Sequence, residues 1–338
     1  MRIFGGVISK MKVAVCKTKP GTERIWLPFA EGVVNSGDSV EIIETDKEIS
    51  KLDECDISFQ VGEATRYETL CFHADPADMA EHGYMRILIK NKQIESKKPR
   101  MILDCGLLRD HRKKEYEDRY FSIGVNGVKG KASFYNENSP GDRWKNRKIR
   151  IKEPRQSGDH ILVVGQTHYG AGLAHVGTES DPMANMWTDP TDYYENLVRR
   201  IREYTDRPIL FRTHPIGDKE IRNRIRPPEG IKNLTISDAV SHKIEEDLKN
   251  AWCTITRTSN GAIDSILEGV PVITEDPVCM SYDVSEHSIK NIEHPFYPPM
   301  RQRSQWLYNL AYAEWSLEEM KQGLPWQHLR SNINANTK

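Results

Sequence analysis

Short runs of apolar residues, each closed by a turn signal, alternate along the first hundred residues with stretches that read as helical. Lys12–Cys16 (KVAVC), Ser39–Ile43 (SVEII), Ile57–Val61 (ISFQV) and Arg100–Leu103 (RMIL) are of the first kind. Ile25–Val34 and Ala77–Lys97 are of the second. Four- and five-residue aliphatic runs are too short for helices and predict buried strands. Strands alternating with helices imply a parallel sheet covered on both faces.

The alternation breaks between Leu107 and Ser157, where the chain turns polar, basic and rich in Gly, Asn and Lys. This stretch predicts long loops with a β-ribbon at Tyr120–Tyr135. The pattern restarts at His160–Val164 (HILVV). A helix is predicted over Pro190–Thr205, with Tyr193, Leu197 and Ile201 at four-residue spacing. Strands follow at Pro208–Phe211, Leu234–Ile236, Ala251–Ile255 and Val270–Thr274, with helices at His242–Lys249 and Ala262–Leu267 between them. Beyond the Pro-rich HPFYPPM crossing, Trp306, Leu310, Ala313, Leu317 and Met320 form one helical stripe. Ser316 with Glu319 is a capping-box pair, which predicts two helices broken near Trp315.

Length agrees with two units: 338 residues suit two domains of ordinary size. The predicted division is 1–155, with an insertion over about 107–155, then 156–295, and a helical tail over 296–330. Hydrophobic residues make up 38% and charged residues 29% of the chain, and no apolar run approaches the length of a membrane span. The apolar patch at Met1–Ser9 is shorter than a signal-peptide core, so export is not expected, and Met11 is an alternative start. Six cysteines without a CxxC pair argue against a zinc knuckle or dithiol motif and fit the cytoplasm.

The formal net charge of −1 conceals an asymmetry. Residues 86–155 carry an excess of eleven positive charges, flanked by blocks at −6 each. Aromatics (Tyr116, Tyr120, Phe121, Phe134, Tyr135, Trp144) are interleaved with these cations. Such a block is either the footprint of a polyanion or a face that pairs with acidic neighbours.

In open parallel sheets ligands bind beyond the carboxyl ends of the strands, and three clusters fall there. The first is Arg257-Thr258-Ser259-Asn260-Gly261, where hydroxyls and backbone N–H groups at a helix start suit a phosphate. Glu268, further along that helix, is a candidate for a ribose hydroxyl pair. The second is Arg212-Thr213-His214-Pro215, whose imidazole can donate to a diphosphate and stabilise a leaving group. Gln166 follows the strand HILVV on the same edge. The third is Asp104-Cys105-Gly106, whose carboxylate is a candidate general base for an acceptor hydroxyl.

Together these segments resemble the capsule-polysaccharide and Kdo-transferase kind of glycosyltransferase, and more loosely the bacterial sialyltransferases. Asp104-Cys105-Gly106, with the Leu-Leu-Arg that follows, is similar to that family's acidic-acidic-Gly motif, with Cys105 in place of the second acid. His214-Pro215 is similar to its His-Pro motif. Thr258-Ser259 through Glu268-Gly269-Val270-Pro271 is similar to its Ser-rich turn and Glu. The tail from Gln305 onward looks like that of phage and prophage relatives. The resemblance covers most of residues 100–275. It implies α/β architecture with two Rossmann-like domains facing a cleft (GT-B) and C-terminal helices that cross back onto the first domain.

The expected activity is inverting, metal-independent transfer of a sugar from a nucleotide-sugar to a hydroxyl, without a cofactor. Asp104 and His214 are the expected catalytic residues. Gln166, Arg212, Pro215, Thr258, Ser259, Asn260, Gly261 and Glu268 are expected to bind the donor. The basic block favours double-stranded DNA bearing a hydroxymethyl-pyrimidine as acceptor, through Arg109, Arg143, Lys145, Arg147, Lys148 and Arg150. A growing surface or capsular glycan is the alternative acceptor. An epimerase or a non-catalytic binding protein is the further alternative on the same fold.

Overall fold

The computed structural model describes residues 10–18, 21–63, 81–108, 115, 117–166, 190–214 and 230–336. Met1–Ser9 and Arg109 therefore lie outside the described residues, as does Pro215.

Two sheets carry the fold. The first contains β1 (Lys12–Cys16), β2 (Ser39–Ile43), β3 (Ile57–Val61), β4 (Arg100–Cys105), β5 (Tyr120–Val125) and, from the far end of the chain, β11 (Glu314–Ser316). Their spatial order is β11-β5-β4-β3-β1-β2. The second contains β6 (His160–Val164), β7 (Ile209–Arg212), β8 (Leu234–Ser237), β9 (Ala251–Thr256) and β10 (Val272–Ile273), in the order β10-β9-β6-β7-β8. Every pairing in the second sheet is parallel, and so are those linking β1 to β4.

The helices are α1 (Glu23–Asn35), α2 (Glu81–Ser96), α3 (Asp142–Arg147), α4 (Pro190–Arg202), α5 (Ile244–Leu248), α6 (Gly261–Leu267), α7 (Met300–Tyr312), α8 (Leu317–Lys321) and α9 (Leu324–Asn336). The strands read as unbroken apolar runs because both faces are covered. Val13 and Val15 pack with Ile25, Trp26 and Phe29 of α1. Ala14 and Cys16, on the opposite face, pack with Leu52, Met85 and Ile89. In the second sheet Ile161 and Val163 meet Tyr194, Leu197 and Ile201 of α4, while Leu162 and Val164 meet Ile244 and Leu248 of α5.

One expectation is corrected and a second is met in a form the sequence did not show. The segment after Leu107 folds back on itself at the Val125–Ser133 bridge, as a ribbon does, but it is not appended to the sheet. Its strand β5 pairs antiparallel with β4 and places Phe121, Ile123 and Val125 in the first core. An antiparallel neighbour needs no crossover helix, so the helix–strand rhythm is lost although the sheet continues. The expected break near Trp315 is present, and it is a strand: α7 ends, β11 pairs antiparallel with β5, and α8 starts at the expected capping box of Ser316 and Glu319. The chain thus returns from the second half to complete the first sheet, and α8 and α9 pack on α1.

A third core lies where the two halves meet. Leu107, Leu108, Phe134 and Trp144 come from the segment expected to be an insertion. They pack with Ile263 and Ile266 of α6 and with Trp306, Leu307 and Leu310 of α7. No helix among the described residues is long and apolar enough to cross a membrane.

Candidate active site

The carboxyl edge of the second sheet is set by register. Val164 at the end of β6 pairs with Arg212 of β7 on one side and Thr256 of β9 on the other. Two residues beyond that row stand Gln166, His214 and Thr258, on adjacent strand ends about 4.8 Å apart. The order β9-β6-β7 therefore brings together three residues separated by up to 92 positions in sequence.

The turn after β9 is built by side chains. Gln166 Nε2 donates to Thr258 Oγ1 at 2.5 Å, and Gln166 Oε1 accepts from the Thr258 N–H at 3.3 Å. Tyr194, fully buried beneath, donates to the same oxygen at 3.5 Å. Thr256 Oγ1 accepts from the Ser259 N–H at 3.4 Å, and Ser259 Oγ from the Gly261 N–H at 3.2 Å. Gln166 and Thr258 are both buried, so they hold the turn and Ser259 and Asn260 border its open side. Asn260 Oδ1 is a buried acceptor with no hydrogen-bond partner among the described residues. A buried acceptor left unpaired costs about 1–3 kcal/mol, which a donor from a bound molecule would recover.

Three donor-site expectations change in geometry. Arg212 turns away from the edge. Its guanidinium is buried against Asp247 and donates to the carbonyl of His242 at 2.8 Å, with Ser237 Oγ donating to the same Asp247 at 2.7 Å. A burial-driven ion pair has taken the charge expected at a phosphate. Glu268 sits at the far end of α6, about 10 Å of helix rise from the turn, where it accepts from Lys152 at 2.6 Å. Asp264, one turn into α6 and buried, is the acid on that helix nearer the turn. Sequence spacing missed it because Glu268 stood beside the Gly-Val-Pro segment. Finally, α6 is only seven residues long, so little macrodipole is available to the turn.

In the first sheet, Asp104 stands near the end of β4, opposite Ser122 of β5. Its Oδ1 accepts from the Cys105 N–H at 2.8 Å. Among the described residues Oδ2 accepts from nothing, and the side chain is half-buried. The loop that follows is held by Glu314 of β11, whose Oε1 accepts from the Leu107 N–H and, at 3.0 Å, from the Leu108 N–H.

Cys105 reports on Asp104. Loss of surrounding water pushes its thiol up from the ordinary value, and the adjacent Asp104 carboxylate pushes it up further. Removing that negative charge lowers the thiol pKa. Asp104→Asn is therefore expected to speed iodoacetamide alkylation at Cys105 near pH 8, followed by peptide mass spectrometry. An unchanged rate would mean that the carboxylate does not face the thiol.

The expected polyanion face is corrected at two of its residues, Arg143 and Arg147. Arg147 is buried in an ion pair with Glu314 at 2.7 Å and lies 3.5 Å over the Tyr120 ring. Arg143 pairs with Glu319 at 2.5 Å and lies 4.3 Å over Trp315. Lys92, Arg100 and Lys152 pair with Asp53, Glu63 and Glu268. All five acids lie outside residues 86–155, so the tertiary fold offsets part of the excess that counting along the chain exposes. Lys145, Lys148 and Arg150 are exposed.

Among the described residues no group of three or more His, Cys, Asp or Glu converges as metal ligands do. One turn unforeseen from sequence, Lys129–Lys131, crosses from the first half: Lys129 Nζ donates to the Thr258 carbonyl at 3.0 Å, and the Gly130 N–H to that of Val278 at 3.1 Å.

No protein-family model matches the chain, and no curated protein sequence matches it. Solved structures do. Thermosulfurimonas dismutans KpsC, described as a beta Kdo 2,4 transferase, matches with a TM-score of 0.52 at 14% identity, over 90% of this chain and 90% of that chain. The same organism's KpsC beta Kdo 2,7 transferase matches at 13% identity over 95% and 99% of the two chains, with a TM-score of 0.48. The fold is α/β with two Rossmann-like domains in the GT-B arrangement.

Proposed function

We propose that the protein is a glycosyltransferase that moves a sugar from a nucleotide-sugar to a hydroxyl of a surface or capsular glycan. The observation that carries this reading is the chemistry of two strand ends, one in each sheet. A carboxylate with one uncommitted oxygen ends β4, and a hydroxyl-bearing turn with an orphaned acceptor ends β9 in the facing domain. The fold likeness to a Kdo transferase, over nine-tenths of both chains, supports the same class.

In this reading Asp104 takes the proton of the acceptor hydroxyl as its oxygen bonds to the anomeric carbon. The bond from that carbon to the donor phosphate oxygen breaks on the opposite face, and the electron pair leaves with the phosphate. His214 donates to the leaving phosphate, and Ser259 and Asn260 contact the donor. Gln166 positions the turn through Thr258, and Asp264 takes the ribose role first read onto Glu268. Direct displacement inverts the anomeric centre, and these residues supply its proton transfers without a metal.

The glycan acceptor is favoured over DNA because Arg143 and Arg147, the centre of the expected DNA face, are spent on Glu319 and Glu314. The test offers UDP- and CMP-sugars with either an anionic oligosaccharide or hydroxymethylated duplex DNA. Transfer is expected to the oligosaccharide alone. Reversing Lys145, Lys148 and Arg150 to Glu together should leave that rate unaltered. Faster transfer to DNA, lost in the reversed variant, would overturn the glycan assignment.

A further inference from the structure

Three basic side chains border the turn after β9 and the strand end beside it. Arg257 pairs with Asp276 at 3.0 Å and lies 4.9 Å from the Tyr193 ring centre. Arg212 is buried against Asp247. Lys129 reaches the turn from the other domain, and among the described residues no carboxylate lies within ion-pair distance of its ammonium. Its partner is a neutral carbonyl, Thr258 O, immediately before Ser259.

The backbone holds Lys129 there deliberately. Its φ is +53°, in the left-handed region that side chains other than Asn and Asp seldom take. The next residue, Gly130, lies so close to the second domain that a Cβ would come within 2.6 Å of the Val278 carbonyl. The turn is thus seated on the donor half by a glycine contact and one backbone hydrogen bond, with the ammonium delivered beside the donor turn. Its charge is felt in both halves: it draws down the thiols of Cys105, next to Asp104, and of Cys279, against the burial that pushes each up.

We propose that Lys129 is a donor-phosphate ligand supplied by the first domain: its ammonium, seated at Thr258 by the Gly130–Val278 contact, binds the phosphate of a nucleotide held at the turn. The inference rests on the nucleotide-sugar reading above and adds to it a cation from the facing domain. Phosphate binding and the seating of one domain on the other are then coupled, because the same turn performs both. An ammonium suits this task, since charge-assisted hydrogen bonds are about twice as strong as neutral ones and a phosphate adds the opposite charge that the Thr258 carbonyl lacks.

The test measures binding by calorimetry on the full chain, with UDP, CMP and their parent nucleosides as probes. Lys129→Met is expected to weaken nucleotide binding by about 10- to 100-fold, the range for losing one hydrogen bond to a charged group. Nucleoside binding should be unchanged, and Lys129→Arg should recover much of the loss. Gly130→Val keeps the charge but displaces the turn, and should weaken nucleotide binding likewise. Far-UV circular dichroism establishes that each variant is folded. If the wild type binds nucleotide and Lys129→Met binds it equally well, Lys129 is no phosphate ligand and the donor reading stands. A loss shared equally by nucleoside and nucleotide makes the turn structural and also overturns the proposal. A wild type that binds none of the probes removes the nucleotide-sugar reading and this inference together.

Discussion

Asp104→Asn is expected to lower sugar transfer by about 10²- to 10⁴-fold, the range for losing a positioned general base. The amide preserves size and the hydrogen bond that Oδ1 accepts from Cys105, but it takes no proton. Nucleotide affinity should hold, because the donor turn belongs to the other domain and touches none of the same atoms. Single-turnover rates and calorimetry on one preparation separate the two effects. A variant that keeps its rate and loses nucleotide affinity would make Asp104 a binding residue. Asp110, Glu117 and Asp118 would then be the next acids to examine.

Glu314→Gln is expected to cost about 3–5 kcal/mol of stability, the penalty for leaving one member of a buried ion pair alone. Both side chains of the Arg147–Glu314 pair are almost wholly buried, at 2% and 0% exposure. The amide oxygen still accepts from the Leu107 and Leu108 N–H groups, so the measured loss is chiefly that of Arg147 left without a counter-charge. The urea midpoint reads it. Adding Arg147→Met removes the stranded charge and should restore part of the stability, since a buried pair replaced as a unit is often neutral. A single variant as stable as the wild type would show that water reaches the pair. The outcome also bears on chemistry, because Glu314 holds the loop that follows Asp104.

Most strands were legible because burial on both faces writes itself into sequence. KVAVC and HILVV are apolar in all but their first residue, ISFQV is apolar at three of its five positions, and each is a strand at the predicted place. The antiparallel strands were not legible. YFSIGV alternates with polar and glycine residues inside a basic stretch, and it is a strand because β4 offers a free edge beside it. EWS, only three residues long, pairs with that strand from almost two hundred positions away. No local pattern of three residues specifies a partner at that distance.

The same division runs through the site. Strand ends can be read from sequence, so Asp104, Gln166, His214 and Thr258 were all singled out where a cleft residue would stand. Which charges remain available there depends on long-range pairing. Arg212 and Asp247 are 35 residues apart, Arg147 and Glu314 are 167 apart, and burial makes each pair obligatory once the sheets are assembled. Lys129 lies in the opposite case. Nothing local distinguishes it from its neighbours, and it gains significance only because the turn that carries it is seated on the facing domain. Hydrophobic alternation is a property of a few consecutive residues, so the chain itself decides the layers and the strand ends. The fate of a charge depends on what lies within a few ångströms, and that is decided only when distant segments pack.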